Sequence, residues 1–373
     1  NFKLQIPNPD LSFEFWSLDF RFGINLVTLD RLKRIGFALA GLFLFILALE
    51  MLKKGAAGLR PVLEGLQVHS PKEALAFGWL MAYIVLSGSP VAAIALSLFS
   101  GNVITDVMTL AMITGSRLGA SFIVLFVGFL YNLRGHKRGA SVSIGILALS
   151  VTASIYLPAL ALGYLILTRG WLDPVRFGTP AALSSFLDLV FDPIVAFLVA
   201  HLPRWLVFIL GIGTLLAGFR LFDAILPELD PEKSRFGNVA DFVYRPIVMF
   251  LIGAAFTSIT MSVSVSLTLL VPLAVRGYIR RENIIPYIMG ANITTFVDTL
   301  LASLLLNTPR AFTIVLVEIL TVSFFSLLIL AFVYRPYQRA LEAVLRLVLR
   351  DNRTLAVFVL LIVGIPLLLL FIK

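Results

Sequence analysis

Two short clusters of small and hydroxyl residues interrupt otherwise apolar stretches of the sequence. The first is Ser87-Gly88-Ser89 and the second is Ser262-Val263-Ser264. Serine hydroxyls can donate hydrogen bonds to an anion, and a helix that begins after such a break adds free N–H groups and the positive end of its dipole. The clusters therefore predict an anion-binding site to which Ser87, Gly88, Ser89, Ser262 and Ser264 contribute. Helix packing is the other interpretation, because small and hydroxyl side chains let membrane helices approach closely.

Arg117 lies between Gly115 and Gly119 in a long apolar stretch. A charge at such a place is costly unless it has a partner or water. Several interpretations stay open. The guanidinium could bind an anionic substrate directly, replace a coupling cation, or pair with Asp298. Snorkelling of the side chain at a helix end is the purely structural option.

A second group of polar residues offers oxygen ligands of the kind that hard cations accept. The residues predicted to bind an ion are Ser116, Asn292, Thr294, Thr295 and Asp298. Asn292 is also expected to contact the substrate, and Asp298 could either help hold sodium or carry a proton. A sodium ion is the one cofactor considered. The sequence has no cysteine, which excludes thiolate chemistry, and no transition-metal site is expected.

The composition is that of a membrane protein. Hydrophobic residues make up 59% of the 373 residues and charged residues 14%, whereas a soluble domain carries about 25% charged residues. The net charge of +9 is typical of lysine and arginine kept in cytoplasmic loops and does not by itself indicate nucleic-acid binding. We expect an integral protein of a prokaryotic inner membrane, with membrane lipid as its surroundings and no nucleic-acid partner; the oligomeric state stays open.

The predicted fold class is all-α, with two inverted repeats that each contain a re-entrant hairpin and a broken transmembrane helix. Residues 1–34 are expected at the membrane interface. The first repeat spans 35–138 with a hairpin at 73–100, and its helix is expected to break between Gly115 and Gly119. Residues 139–203 hold a connecting span and an external segment, 179–202, that is not expected to cross. The second repeat spans 204–334 with a hairpin at 246–275, and residues 335–373 form an interfacial or partner-binding amphipathic helix and a last span.

The repeat is predicted from matching positions in the two halves. Gly115 follows Ser87 by 28 positions (115 − 87), and Gly290 follows Ser262 by the same 28 (290 − 262). The second hairpin is followed by Arg276, Arg280 and Arg281, whereas residues 100–106 carry no basic residue. Because basic loops stay in the cytoplasm, the two hairpins are expected to enter from opposite sides of the membrane.

The stretch Gly290-Ala291-Asn292-Ile293-Thr294-Thr295 and the segment from Phe45 to Leu52 resemble the type II sodium-phosphate cotransporters. The resemblance implies inverted repeats, hairpin tips that carry Gln-Ser-Ser-Ser, phosphate as substrate and sodium as coupling ion. Leu86 and Met261 stand where that family has glutamine. Arg117 stands where the first repeat would have an asparagine.

The function predicted from these features is secondary active transport of a small inorganic anion, phosphate first, by alternating access with sodium coupling. The alternative is a sodium-independent or proton-coupled uniporter or exporter in which Arg117 replaces the cation. An enzyme is disfavoured because His69, His136 and His201 are far apart in the sequence. A non-transporting scaffold would leave the paired breaks unexplained.

Overall fold

The computed structural model is helical in the part of the chain that it describes, which comprises residues 9–133, 138–175, 177–225, 245–263, 265–267, 270 and 281–372. Eight helices in these ranges are long and apolar enough to cross a membrane. The chain is therefore an all-α polytopic membrane protein. Most of its buried apolar side chains form one continuous cluster.

The helices follow the predicted apolar segments closely. Their bounds are α1 Pro9–Gly55, α2 Arg60–Gly65, α3 Pro71–Val85, α4 Ser89–Ser100, α5 Asp106–Leu133, α6 Arg138–Arg169, α7 Ala181–His201, α8 Arg204–Ile225, α9 Pro246–Thr260, α10 Arg281–Thr294, α11 Val297–Leu305, α12 Pro309–Leu328, α13 Tyr334–Val348 and α14 Asn352–Phe371. A π-helical segment, Ile329–Val333, joins α12 to α13.

Helices α3 and α4 occupy the segment predicted to form the first hairpin. Helix α3 begins with a capping box in which the backbone N–H of Ser70 donates to the Glu73 carboxylate at 2.7 Å, an arrangement that satisfies donors a helix start leaves free. The helix ends at Leu86, whose φ of 54° is left-handed. Because a non-glycine residue is uncommon there, the turn at the serine cluster is a defined break in the helix. The predicted interruption at Ser87-Gly88-Ser89 is confirmed.

The second interrupted segment breaks in the same way. Helix α9 ends at Met261, whose φ of 49° is again left-handed, and helical structure resumes at Val263. Met261 lies 175 positions after Leu86 (261 − 86). Most of the segment that follows, including Ser264 and Arg276 to Arg280, lies outside the described residues.

Helix α3 packs tightly on α5, and α9 packs tightly on α10, in both cases through glycine. A Cβ atom at Gly115 would lie under 3.0 Å from the carbonyl oxygen of Leu75, and one at Gly290 equally close to that of Phe250. The positions of the second contact, Gly290 and Phe250, each lie 175 residues after those of the first, Gly115 and Leu75 (290 − 115 and 250 − 75). Gly78 against the carbonyl oxygen of Met112 and Gly253 against that of Tyr287 repeat this spacing.

The break predicted in the first long helix is wrong. Helix α5 is continuous through Gly115 and Gly119. These glycines allow α3 to pack closely against α5 and do not break the helix. A Cβ at Gly119 would lie under 3.0 Å from the carbonyl oxygen of Trp79. The matching helix of the second half does break, at Thr295 and Phe296 between α10 and α11.

Helices α1 and α8 run antiparallel and in close contact. Gly55, at the end of α1, lies against the backbone of Phe208 near the start of α8. Gly41 lies against Phe222 near the end of α8. The two halves of the chain therefore begin with helices of opposite direction.

Helix α7 is long and apolar enough to cross a membrane, yet both its ends meet the same end of the bundle. Before it, the Thr179 hydroxyl donates to the carbonyl oxygen of Leu304, and Lys53 donates to the neighbouring carbonyl of Leu306 at 3.1 Å. After it, the chain at Trp205 lies against Gly58. These contacts favour the prediction that residues 179–202 do not cross; it stays a prediction.

The structure agrees with the predicted amphipathic helix near the C-terminal end, but in its described residues it shows no boundary between the segment 1–34 and the first span. Helix α1 is continuous from Pro9, so no break in the backbone of its described residues separates the interfacial segment from the first span. Helix α13 is the predicted amphipathic helix, with Leu341, Leu345 and Val348 buried and arginines on its other face. Placement of either segment at a membrane surface stays a prediction.

Candidate anion-binding site

Arg117 is buried at the centre of the bundle, with 4% of its surface exposed. Its Nη1 donates to the hydroxyls of Thr295 at 3.2 Å and Ser89 at 3.4 Å, and its Nη2 donates to Thr299 at 2.5 Å. The guanidinium also lies over the ring of Phe296, 4.8 Å from the centroid, which adds cation–π stabilisation. One α5 side chain thus joins the first hairpin to the break between α10 and α11.

Asp298 is the carboxylate nearest to Arg117. Its Oδ1 lies 3.8 Å from Nη2 of Arg117, within the range of an ion pair but beyond a direct hydrogen bond. The same oxygen accepts hydrogen bonds from the backbone N–H of Thr299 at 2.5 Å and from its hydroxyl at 2.9 Å. Asp298 therefore balances the charge of Arg117 without saturating its donors.

The guanidinium keeps donor capacity beyond these contacts. Arginine carries five N–H donors, and the Nε of Arg117 has no hydrogen-bond partner among the described residues although it is buried. A buried donor without a partner costs free energy, and an anion would supply the missing acceptor. We call Arg117 with Ser89, Thr295, Asp298 and Thr299 the Arg117 centre.

The breaks that follow α3 and α9, which we call the two tips, meet at the Arg117 centre around a small cavity. Its lining includes Arg117 together with residues of both tips and of the Asn292 stretch, namely Ser87, Gly88, Ser89, Ala120, Ser262, Val263, Asn292 and Thr295. The cavity measures about 10 Å³, room for about one water molecule. The tips would have to separate before a phosphate-sized anion could sit between them.

A larger cavity of about 270 Å³ adjoins the tips on one side. We call it the vestibule; it reaches Ser87, Ser89, Ser262 and Asp298, and its walls are largely apolar, with Phe45 from α1 and Phe219 and Phe222 from α8. It extends toward Ala38 and Asp223, and Ala38 follows the basic positions Arg31 to Arg34 within α1. By the distribution of basic residues this end of the vestibule is the predicted cytoplasmic one.

A buried chain of hydrogen bonds supports the Arg117 centre from behind. Ser121 donates to Thr152 at 2.8 Å, and the side-chain amide of Asn292 donates to the same hydroxyl at 3.2 Å. The Tyr156 hydroxyl donates to the backbone carbonyl of Asn292 at 2.7 Å. Helix α6 thereby fixes the Asn292 stretch beside Arg117, as a rigid second layer of support requires.

Most of the residues predicted to bind substrate or ion do come together. Ser87, Gly88, Ser89, Arg117, Ser262, Asn292 and Thr295 line the small cavity, and Asp298 lines the vestibule. Ser264 lies outside the described residues.

Two predicted ion ligands are placed elsewhere. The Ser116 hydroxyl donates to the carbonyl of Ile113 in its own helix at 2.7 Å. Thr294 donates to the carbonyl of Ala254 at 2.8 Å. Both hydroxyls satisfy helix backbone and serve packing, which is the alternative role that small polar residues have in membrane bundles.

Thr299, which belongs to the Arg117 centre, and Glu318, which lies near it, were not predicted from the sequence. Thr299 follows Asp298 directly and takes the shortest hydrogen bond of Arg117. Glu318 is a single acid within the apolar stretch of α12, 2% exposed, and its Oε1 accepts from Thr114 at 2.7 Å. A lone carboxylate in the middle of an apolar span is a sequence signal of a functional residue.

The fold and these buried charges define the chain as a polytopic α-helical membrane protein with a polar centre between two interrupted helices. Comparison of the chain with protein-family models, with curated proteins and with solved structures finds no match.

Proposed function

We propose that this protein is a secondary transporter of a small inorganic anion, phosphate first, that works by alternating access. The observation that carries the proposal is the buried Arg117, which lies beside a cavity between the two tips. Its Nε finds no hydrogen-bond partner among the described residues. Irregular backbone at membrane depth is tolerated only where protein or a cavity surrounds it, and paired breaks of this kind are a pointer to a transport site.

The proposal includes inverted repeats with re-entrant hairpins. Its support is that the left-handed helix ends and the glycine contacts recur 175 positions apart, as described above. The antiparallel α1 and α8 are what opposite orientation of the halves requires. The likeness to type II sodium-phosphate cotransporters belongs to the same proposal.

Alternating access requires one open and one closed side. The vestibule gives the Arg117 centre a path toward the predicted cytoplasmic end. At the opposite end, Arg310 pairs with Asp106 at 2.8 Å and also contacts Asp173, and Arg60 donates to the carbonyl of Asn102 at 3.1 Å. We propose that these contacts hold the outer side closed in the inward-facing state.

The contacts of Arg117 favour transport without a sodium ion bound between the two tips. A sodium ion between the tips and the Asn292 stretch would need oxygens such as that of Thr295, and Thr295 already accepts a hydrogen bond from the guanidinium. A fixed positive charge then stands where a coupling cation would otherwise bind. Sodium symport is the second form of the proposal, and the transport assay separates the two.

The test is uptake of labelled phosphate, sulfate and small carboxylates into proteoliposomes that contain the purified protein. We expect at least one of these anions to accumulate under an imposed gradient and to do so without sodium. Uptake that requires sodium would support the symport form. If none of these anions moves under sodium, proton or electrical gradients, the proposed function is wrong.

A prediction about the outer ion pairs follows. Replacing Arg310 by glutamine removes the charge that joins Asp106 to Asp173, so the outward-facing state is expected to gain population. A single cysteine placed by Ser262→Cys in this cysteine-free chain should then react severalfold faster with an impermeant thiol reagent added outside. Arg346→Gln, which breaks the exposed pair with Glu342, is the matched control. Equal rates in the two variants would argue against the outer closure.

A further inference from the structure

Three charged side chains are buried among the described residues: Arg117, Asp298 and Glu318. If all three were ionised, the group would carry a net charge of −1 (one positive and two negative charges). An uncompensated charge inside a membrane protein is expensive. By the charges of the described residues, one of the two carboxyl groups is left to hold a proton or a cation when no other ion is present.

The contacts show which carboxyl group is left without compensation. Asp298 lies 3.8 Å from Arg117 and accepts two hydrogen bonds from Thr299. Glu318 accepts one hydrogen bond, from Thr114, and its Oε2 is buried without a partner in the described part of the chain. Among the described residues no lysine, arginine or histidine nitrogen comes within the 4.0 Å of an ion pair with it.

The helices packed against α12 offer Glu318 little further charge. Arg117 on α5 lies about one helical turn from Thr114, the hydrogen-bond partner of Glu318, and the Tyr156 hydroxyl on α6 donates to the backbone carbonyl of Asn292. Tyr287 on α10 is bonded to Ser266, and Asp298 on α11 is committed to Arg117. Helix α4 has no titratable side chain between Ser89 and Ser100. Within the described residues, no three acidic or histidine side chains gather to hold a metal ion.

We infer that Glu318 binds the coupling proton of this transporter. The inference rests on the proposed function and names the ion for that same centre. With the proton bound, Glu318 is neutral, and the charges of Arg117 and Asp298 cancel.

The position of Glu318 links proton binding to anion binding. Thr114, which holds the carboxyl group, precedes Arg117 by three residues on α5, about one helical turn. When Glu318 loses its proton, a second, uncompensated negative charge appears one helical turn from the guanidinium and opposes binding of an anion there. Each ligand therefore favours the other, a coupling that must be reciprocal, and the anion and the proton are expected to move in the same direction.

The variant Glu318→Gln tests this link. The amide keeps the shape of the side chain and can accept the hydrogen bond from Thr114, but it cannot release a proton. We expect the variant to lose accumulation of labelled phosphate driven by a pH gradient, while one-for-one exchange of labelled for unlabelled phosphate continues. Because phosphate itself titrates, wild type and variants are compared under the same gradient. Glu342→Gln, at a half-buried surface carboxylate of α13, should behave as wild type.

Retention of pH-driven accumulation in Glu318→Gln would overturn the inference. A second measurement decides the matter even if no anion is moved. Infrared difference spectra over a pH titration should show the carbonyl band of a protonated carboxylic acid in the wild type, and Glu318→Gln should lack that band. A band that persists in the variant, or a folded wild type without one at neutral pH, overturns the proton site. If the carbonyl band of Glu318 is present but no anion is transported, the proposed function is wrong and the proton site stands.

Discussion

Replacing Arg117 by alanine is expected to abolish anion uptake. Arg117 supplies the buried charge at the hairpin tips and bonds to Ser89, Thr295 and Thr299. Truncating one partner of a buried, hydrogen-bonded charge pair costs about 2–5 kcal/mol, and ~1.4 kcal/mol corresponds to a tenfold change in affinity. Binding of phosphate should therefore weaken at least about 30-fold, as measured by its protection of the protein against thermal unfolding.

The alanine variant leaves Asp298 buried without its partner, which could lower stability by itself. The double variant Arg117→Ala with Asp298→Asn removes both charges and separates the two effects. Arg117→Lys keeps the charge but loses the forked geometry of the guanidinium, so partial binding is expected. Wild-type uptake by a folded Arg117→Ala protein would remove the central residue from the proposed mechanism.

The largest effect on stability is expected at Gly290. A Cβ there would collide with the backbone carbonyl of Phe250, and a backbone atom cannot turn aside as a flexible side chain can. Overpacking typically costs about 1–3 kcal/mol, occasionally more, and we expect Gly290→Ala at or above the upper end of this range. Thermal unfolding of the purified protein in detergent, followed by tryptophan fluorescence, measures the loss.

Two further substitutions calibrate this result. Gly115→Ala should lose a similar amount, because Gly115 meets the carbonyl of Leu75 in the corresponding place. A Cβ added to Gly213 on α8 would meet no described atom within 4 Å, so Gly213→Ala should be neutral or gain about 0.5–1 kcal/mol from helix propensity. Equal unfolding temperatures for Gly290→Ala and Gly213→Ala would contradict the close helix approach.

The sequence predicted the helices and the interruptions well because both depend on local chemistry. Long apolar segments set the helix bounds, and the serine clusters marked the turns after Leu86 and Met261. The glycines around Arg117 misled, since glycine breaks a helix in some places and permits close packing in others. Only the neighbouring carbonyls of Leu75 and Trp79 decide between these roles.

The sequence predicted which residues lie at the candidate site better than it predicted the hydrogen bonds between them. The spacing placed Ser87, Arg117 and Asn292 near one another, because matching positions in two halves imply matching places. It could not predict that Thr299 and Thr295 solvate the guanidinium, or that Ser116 turns back to its own helix. Glu318 lies 204 positions after its hydrogen-bond partner Thr114 (318 − 114), and a contact of that separation follows from tertiary packing alone.

The most direct test of a transport site is the accessibility of a hairpin tip from each side of the membrane. The variant Ser262→Cys carries a single thiol that impermeant reagents can label in oriented vesicles, because the chain has no other cysteine. We predict labelling from the cytoplasmic side through the vestibule, and slower labelling when phosphate or another transported anion is present. Labelling that occurs from neither side, or that no transported anion slows, would contradict a transport site between the two tips.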